Sequence, residues 1–456
     1  MSSQRRQEAR TDETTLSEGL TRNRAMEIIA NFSHSTGTSL EGTILELKDP
    51  YLTVSEDEVF TKAALGDFTT PLEVLKRTLS VHSVLLTASS FAEHMEAASG
   101  VNFRNPKLSE IGKGSFGTVY EIPGTEWCLK KTLRSPTTFK TELHSGKRPD
   151  SSINHIAWKS IVDSGDFSDI LMPRVPRYSN VSLLDTATSL RWFQGNGHLF
   201  PIQNGGQKPG SFIFLERIMP LPRVVRTNLI SHYFKPEDRQ GAIADPENQA
   251  CLCRTYLGLK STEVPSDKRE QELRTLKNFP LYLDQLFELN MDPFLIAREM
   301  ALGLAAGHWV AGINMTDDEF VIGSRPYERP ELFPGLGRQH TAGHSDQTLG
   351  GSSCSFFIRW ATDGPYYPRV LAKDATEWNL WICFAQTYIS ASKRYICDAK
   401  ERLEQWGYDH IGEIDKLVMK RPSYIMNAWM KAECDEYGVS SKQFGKISKD
   451  DHWPLP

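Results

Sequence analysis

The spacing of apolar side chains predicts a helix first and a change to short strands after it. Residues 71–98, PLEVLKRTLSVHSVLLTASSFAEHMEAA, place Leu72, Leu75 and Leu79 near helical spacing, as expected for a helix that packs one face on the rest of the protein. Over residues 107–133 the pattern becomes short β-prone segments separated by glycines. That change indicates a β-hairpin.

The pattern farther along predicts one buried strand followed by helices. GSFIFLERIMPLP (210–222) is a nearly continuous apolar run that ends at prolines, which is typical of a buried strand. PLYLDQLFELN (280–290) and DPFLIAREMALGLAAGHWVAGIN (292–314) predict helices, the second with Ile296 and Met300 on one stripe. A β-rich first half and a helix-rich second half predict an α+β fold.

The same pattern divides the chain into three regions. We expect an N-terminal extension over residues 1–100, a β-rich region over 101–216 and a helical region over 217–456. The first 40 residues are rich in Ser, Thr, Glu and Arg with few apolar anchors. Such a composition predicts a disordered tail, so the extension is disordered first and helical afterwards.

Composition changes this picture little. The chain has 456 residues, 39% of them apolar, and a net charge of −5, which allows a large buried core. No apolar run of about eighteen residues occurs, so we expect a cytoplasmic chain with no membrane partner. Basic clusters at residues 130–134 and 140–148, and at Arg217, Arg223 and Arg226, leave an RNA partner open, although solvated surface is the favoured explanation.

The cysteines do not predict a metal site. Seven are scattered along the chain, and only Cys251 and Cys253 stand close together, in a spacing tighter than zinc ligands normally have. We expect reduced thiols and no bound metal.

A glycine pattern in IGKGSFGTVYEIPGTEWCLKK, residues 111–131, carries the first functional prediction. The sequence G-x-G-x-x-G-x-V is satisfied by Gly112, Gly114, Gly117 and Val119. Glycines let a hairpin present backbone N–H groups to phosphate oxygens, and Lys130 is then the candidate lysine on the following strand. We predict that these residues bind a nucleotide or the 3′ end of a tRNA; the alternative is a glycine-rich hairpin without a ligand.

The carboxylates that phosphoryl transfer needs are missing from their expected places. Asn314 stands where a kinase would have its catalytic aspartate, and Arg359 where it would have a magnesium ligand. An amide cannot accept a proton from a hydroxyl nucleophile, and an arginine repels magnesium. A divergent kinase would need Asp317 or Asp363 to take over.

Other carboxylates form the predicted catalytic set. They are Asp317, Asp318, Glu319, Asp374 and Glu377. Neighbouring carboxylates can bind a guanidinium or an ammonium group, or one can stay protonated beside the other. The alternative for each cluster is a solvated surface.

Three segments support a family resemblance. FLERIMPLP, REMALGLAAGHWVAGINMTDDEFVIGS and DGPYYPRV resemble a fungal family of uncharacterised proteins with a kinase-like core, sometimes described as zinc-finger-like, over residues 100–400. Within that group the chain looks most similar to the arginine-containing cyclodipeptide synthases. The resemblance implies a protein-kinase-like two-lobed fold with degenerate catalytic motifs. This chain departs from the family pattern at Asn314, where the family has an aspartate.

The resemblance also implies an activity. Such enzymes join two aminoacyl-tRNAs, one of them arginyl-tRNA, into a diketopiperazine of secondary metabolism. An aminoacyl ester is already activated, so the reaction requires no cofactor, and positioning with one carboxylate base suffices. ATP and magnesium enter only if the chain is instead a divergent small-molecule or protein kinase. A pseudokinase that only binds a partner is the further alternative; no DNA partner is expected.

Overall fold

The computed structural model of the chain describes most of its central and C-terminal parts. The described residues are 70–79, 108–114, 117–122, 127–132, 178–182, 187–202, 207–312, 319–324, 366–405 and 418–440, with a few single residues between these ranges. The predictions for the N-terminal tail and for Asn314, Asp317, Asp318 and Arg359 lie outside this part.

The first described helix, α1 (Pro71–Thr78), begins where its sequence signals a start. The Thr70 hydroxyl accepts the backbone N–H of Glu73, whose carboxylate in turn accepts the N–H of Thr70 at 3.1 Å, a reciprocal cap that satisfies otherwise free N–H groups. Leu75 and Leu79 are fully buried. The predicted helix is therefore confirmed over its first two turns.

A five-stranded antiparallel sheet follows. Its strands are β1 (Ser109–Gly114), β2 (Gly117–Glu121), β3 (Trp127–Thr132), β4 (Tyr178–Ser182) and β5 (Ser211–Glu216), in the order β1-β2-β3-β5-β4. The glycine-rich hairpin and the buried strand predicted from the sequence are both confirmed.

One face of this sheet is closed by aromatic side chains. Tyr120, Trp127 and Phe212 project from the strands. They meet Trp192 and Phe193 of helix α2 (Ala187–Asn196) and Phe200 just beyond it. The ring centroids of Tyr120 and Phe200 lie 5.2 Å apart in an edge-to-face arrangement, a favoured geometry for aromatic pairs. On the opposite face, Cys128 and Ile213 are buried as well.

A second sheet in the later part of the chain was not predicted. It comprises β6 (Cys253–Tyr256), β7 (Phe279–Tyr282) and β8 (Val321–Ile322), with β6 in the middle, parallel to β7 and antiparallel to β8. The helix predicted over 280–290 consequently begins only at Leu283, as α6 (Leu283–Glu288). All four β7 residues are buried. Pairing with β6 outweighs the helical pattern of the local sequence, so these residues form a strand.

The remaining helices build the main core. They are α3 (Arg223–Tyr233), α4 (Arg239–Ala244), α5 (Ser266–Glu272), α7 (Pro293–Ala306), α8 (Ala375–Gln405) and α9 (Arg421–Glu436). Helix α7 packs along α8, and its predicted stripe of Ile296, Met300 and Leu304 is buried as expected. Asp292 caps α7 by accepting the N–H groups of Phe294 and Leu295.

The segment between β5 and α3 is fastened to the second sheet. The Ser324 hydroxyl donates to the Pro220 carbonyl at 2.6 Å, and the Ser324 N–H donates to the Met219 carbonyl at 2.9 Å. A Cβ at neighbouring Gly323 would lie 2.6 Å from Ile218 Cγ2 and 2.8 Å from the Met219 oxygen. Only glycine fits this approach without displacing the segment.

These elements confirm the mixed α+β prediction. The division into three regions stays a prediction. Within the described residues, no helix combines the length and the apolar character needed to cross a membrane.

Candidate functional site

The glycine hairpin is tight, and the space around a side chain differs between its glycines. Gly114 pairs with Gly117 at the end of β1 and β2, so the connection spans two residues. A Cβ on Gly117 would collide with the carbonyl oxygen of Lys131 on the adjoining strand, whereas one on Gly112 would meet only Val119, at an ordinary 4.0 Å. Packing therefore explains Gly117 and does not explain Gly112.

The register of the sheet sets a row of residues across one face. Gly112 pairs with Val119, Val119 with Lys130, and Lys130 with Ile213. Directly paired residues of antiparallel strands point to the same face. Lys130, which is half-buried, therefore lies on the face opposite the aromatic core, in line with Gly112. We call these four residues the sheet row.

The adjacent lysine points the other way. Lys131 is 4% exposed, and its Nζ lies 4.7 Å and 4.9 Å from the ring centroids of Phe193 and Phe200, within the range of cation–π attraction. Burial lowers the pKa of Lys131 to about 8, because the charged form loses its hydration. Of the two lysines, Lys130 is the one on the sheet face that carries Gly112.

Glu319 is held by an arginine that the sequence did not suggest. It lies two residues before β8, and its Oε2 lies 2.8 Å from Nη2 of Arg254 on the neighbouring strand β6. The two side chains form an ion pair at contact distance. The other two residues of this predicted cluster, Asp317 and Asp318, lie outside the described part of the chain.

Asp374 and Glu377 meet on one lysine. The Lys260 Nζ lies 2.8 Å from Asp374 Oδ2 and 2.5 Å from Glu377 Oε1. The hydrogen bond from Lys260 holds the pKa of Asp374 below its usual range, and the two carboxylates raise the pKa of Lys260. The predicted pairing of these two carboxylates around a cation is therefore present, with a cation that belongs to the chain.

The same two carboxylates also begin helix α8. Asp374 Oδ1 accepts the backbone N–H of Glu377 at 2.9 Å, and Glu377 Oε2 accepts the N–H of Lys373 at 2.8 Å. Side chains that accept the first N–H groups of a helix stabilise its N-terminus. Helix capping is thus a structural explanation for both residues, in addition to the catalytic role predicted from the sequence.

A shallow depression adjoins this ion pair. It is lined by Leu257, Gly258, Leu259, Lys260, Glu263, Leu283, Arg369 and Glu377. Two of its carboxylates are already held by lysines, Glu377 by Lys260 and Glu263 by Lys373.

Of the predicted carboxylates that the structure describes, Glu319 therefore pairs with Arg254, and Asp374 and Glu377 pair with Lys260. Sequence reasoning missed both cations. The signal available was the alternation in C-R-T-Y, residues 253–256, which places Arg254 and Tyr256 on the more exposed side of β6.

Comparison with known proteins corrects the family resemblance. A family model described as "DUF3669: Zinc finger protein" matches residues 356–400, and no kinase or cyclodipeptide synthase family supports the assignment made from the sequence. That assignment was wrong: similarity in three short segments does not establish a family relationship over residues 100–400. No curated protein matches the chain. No solved structure matches it.

The matched segment lacks the set of cysteines and histidines with which a zinc finger binds its metal ion. Its cysteines are Cys383 and Cys397, and it contains no histidine. Both lie on helix α8, where fourteen residues of rise separate them by about 21 Å, too far to share one zinc ion. In the part of the chain that the structure describes, no group of three or more His, Cys, Asp or Glu side chains is placed to hold a metal ion.

Proposed function

We propose that the chain is an aminoacyl transferase that uses charged tRNAs and joins arginine to a second amino acid as a cyclic dipeptide, cyclo(Arg-Xaa). The observation that carries the proposal is the sheet row, which aligns Gly112 of the hairpin with Lys130 on β3. The proposal does not rest on family membership. It rests on what this row can bind and on what the described carboxylates already hold.

A glycine hairpin next to a strand lysine suits a phosphate-bearing adenosine. The backbone N–H groups of a glycine turn and one lysine are the groups with which protein kinases cover and grip ATP. The terminal adenosine of a tRNA offers the same base, ribose and phosphate. A kinase-like two-lobed arrangement with degenerate motifs is part of this proposal, supported by the strand order β1-β2-β3-β5-β4 and the helix-rich region after β5.

The described carboxylates favour an ester substrate over phosphoryl transfer. Glu319, Asp374 and Glu377 each hold a cation of the chain, whereas phosphoryl transfer needs carboxylates directed at metal ions and at the nucleophile. Attack of an α-amine on an aminoacyl ester forms the amide C–N bond and breaks the ester C–O bond. The amine proton leaves through a base, and the ribose hydroxyl is released; a second such step closes the ring.

We assign the selection of arginine to the acidic residues 317–319. Glu319 already accepts a guanidinium from Arg254 at 2.8 Å, which is the contact a substrate arginine would make with a neighbouring carboxylate. Asp374 and Glu377 are less suited because they cap α8 and hold Lys260. Recognition by residues 317–319 remains part of the proposal.

A non-catalytic binding module is the second candidate. The observation that favours it is that each of the three described carboxylates of the predicted set is engaged in an ion pair. Under this candidate the sheet row still binds a nucleotide or RNA end, and no product forms.

One assay separates the candidates. The purified full chain is given arginyl-tRNA, a mixture of other charged tRNAs and no ATP, and diketopiperazines are sought by mass spectrometry. Matched reactions contain ribonuclease, or replace the charged tRNAs by free amino acids with ATP and magnesium. Product that requires intact charged tRNA supports the transferase. Product from free arginine and ATP in the ribonuclease-treated reaction overturns it, and RNA binding without any product favours the binding module.

A further inference from the structure

A second cluster on β6 combines a cation with half-exposed tyrosine rings. Strand β6 alternates buried and half-buried residues, so Arg254 and Tyr256 share one side while Cys253 and Thr255 face the core. Tyr366 lies beside them, its ring centroid 4.9 Å from that of Tyr256. Arg254, Tyr256 and Tyr366 are called the β6 patch.

The backbone and neighbouring rings fix the patch in place. The carbonyl of Tyr366 accepts the N–H of Leu257 at 3.0 Å, which holds the 366–370 segment against the end of β6. The ring of Tyr256 also contacts Tyr282 of β7 at a centroid distance of 5.4 Å. Tyr256 on β6 and Tyr366 beside it are thus held in edge-to-face geometry. Ligand binding would therefore remove little conformational entropy from these side chains.

Arg254 is only partly satisfied. It forms an ion pair with Glu319 through Nη2, and its Nε is buried without a hydrogen-bond partner. The side chain as a whole is 25% exposed. A guanidinium has five N–H donors; the buried Nε does not reach an external ligand, so the exposed part of the group is the part available to a second anion.

We propose that the β6 patch binds the single-stranded end of an RNA, with a base against Tyr256 or Tyr366 and a phosphate at Arg254. Unpaired bases stack on aromatic rings, and arginine adds phosphate and stacking contacts. The inference rests on the proposed use of charged tRNA. It assigns to the patch the nucleotides that precede the terminal adenosine.

The location of the patch fits this role. Glu319 touches Arg254 and belongs to the acidic segment to which arginine selection was assigned. Ser324, two residues beyond β8, is hydrogen-bonded to the segment that leads from β5 of the first sheet. An RNA end on the patch would therefore lie on the second sheet, close to Glu319. Ser324 hydrogen-bonds this part of the chain to the segment that follows β5, and β5 contains Ile213 of the sheet row.

Binding is measured with a fluorescein-labelled single-stranded RNA tetramer, ACCA, and the full chain by fluorescence anisotropy. Tyr256→Leu should weaken binding about tenfold, and Tyr256→Phe should retain it, since one stacked base is worth about 1–3 kcal/mol. Arg254→Gln should lower the slope of log affinity against log salt by about 1. Tyr424→Leu, at a 62% exposed tyrosine on α9, is the matched control.

A photocrosslinking measurement on the unaltered protein covers the case in which a variant does not fold. The tetramer with 4-thiouridine in place of a cytidine should crosslink to Tyr256 or Tyr366. Crosslinks confined to other segments, or a folded Tyr256→Leu that binds the tetramer as Tyr424→Leu does, overturn the proposal. An acidic or aromatic peptide that binds the patch when the RNA does not would overturn it in favour of a protein partner.

The two proposals fail in different ways. Diketopiperazine formed from charged tRNA with an unchanged KM in Tyr256→Leu refutes the patch and leaves the transferase standing. Tetramer bound and crosslinked at the patch, with no diketopiperazine from charged tRNAs, supports the patch and refutes the transferase.

Discussion

Lys130 and Lys131 are neighbours in sequence, and they face opposite sides of the same strand. Lys130 stands in the sheet row beside Val119, whereas Lys131 points its Nζ at Phe193 and Phe200. The alternation of a strand separates their environments completely. One lysine lies on the face that carries Gly112 and the other on the face of the aromatic core, and each gives its own prediction.

Lys130→Met should weaken tRNA binding about tenfold, because a single lysine–phosphate contact contributes on this scale at low salt. Lys113→Met on β1 is the control, since Lys113 is exposed on the same hairpin. Affinity is measured by filter binding with one uncharged tRNA at several salt concentrations. Equal affinities for the two variants would remove Lys130 from the site.

The stability of the protein should depend on Lys131 above pH 8. The pKa of Lys131 is lowered from 10.5 to about 8 in the fold, so between these values the unfolded chain binds the additional proton. Stability from this group therefore rises as pH increases from about 8 to 10.5, by an amount on the order of 3 kcal/mol. Urea unfolding at pH 7.5, 9 and 10 should show the rise, and Lys131→Met should remove it. A rise of equal size in Lys131→Met would assign it to other groups.

The hairpin glycines should separate binding from folding. Gly112→Ala introduces a Cβ in ordinary contact with Val119, whereas Gly117→Ala places one against the Lys131 carbonyl. We expect Gly117→Ala to lower the free energy of unfolding by about 2 kcal/mol or more. Gly112→Ala should stay within about 0.5 kcal/mol of the unaltered chain and lose RNA affinity. Thermal unfolding and tRNA binding check both; retained affinity in Gly112→Ala would favour a hairpin without a ligand.

Asp374 should act mainly through helix α8. Asp374→Ala removes an acceptor of the Glu377 N–H, and loss of such a cap lowers stability by about 1 kcal/mol. Because the pKa of Asp374 is lowered from 3.8 by Lys260, its contribution is present above that pH and is lost as pH falls below it. Urea unfolding at pH 7 and pH 3 measures the difference. A product-formation rate that falls far more than stability would instead support the catalytic role predicted from the sequence.

Gly323 should tolerate no side chain, in contrast to Gly241. A Cβ at Gly323 would approach Ile218, Met219 and Leu252 within 3 Å, whereas one at Gly241 in α4 meets nothing within 4 Å. Gly323→Ala is expected to destabilise the protein by about 1–3 kcal/mol. Gly241→Ala should stabilise it by about 0.5–1 kcal/mol. Differential scanning calorimetry of the pair checks both signs.

Local patterns predicted the elements whose signals are local. Helix α7 follows from the stripe that includes Ile296 and Met300, and the hairpin follows from its glycines. The second sheet was missed because β8 has only two residues and β6 pairs with strands distant in sequence. Periodicity carries no information about such partners.

The candidate site itself stays a prediction. The sequence indicated carboxylates able to bind a cation, and in the structure Asp374 and Glu377 hold Lys260 of the same chain. It could not indicate that the cation would be Lys260, more than a hundred positions away, or that Glu319 would pair with Arg254. Ion pairs between distant segments depend on the tertiary fold, which local residue patterns do not encode.

Ser324 links the segment after β5 to the second sheet. Its N–H and hydroxyl hold that segment, and it lies two residues after β8, while Glu319 lies two residues before the same strand. The N–H of Leu221 adds a second link by donating to the carbonyl of Cys251, two residues before β6. A displacement of this segment would therefore strain hydrogen bonds beside both β6 and β8, the strands next to the Arg254–Glu319 pair.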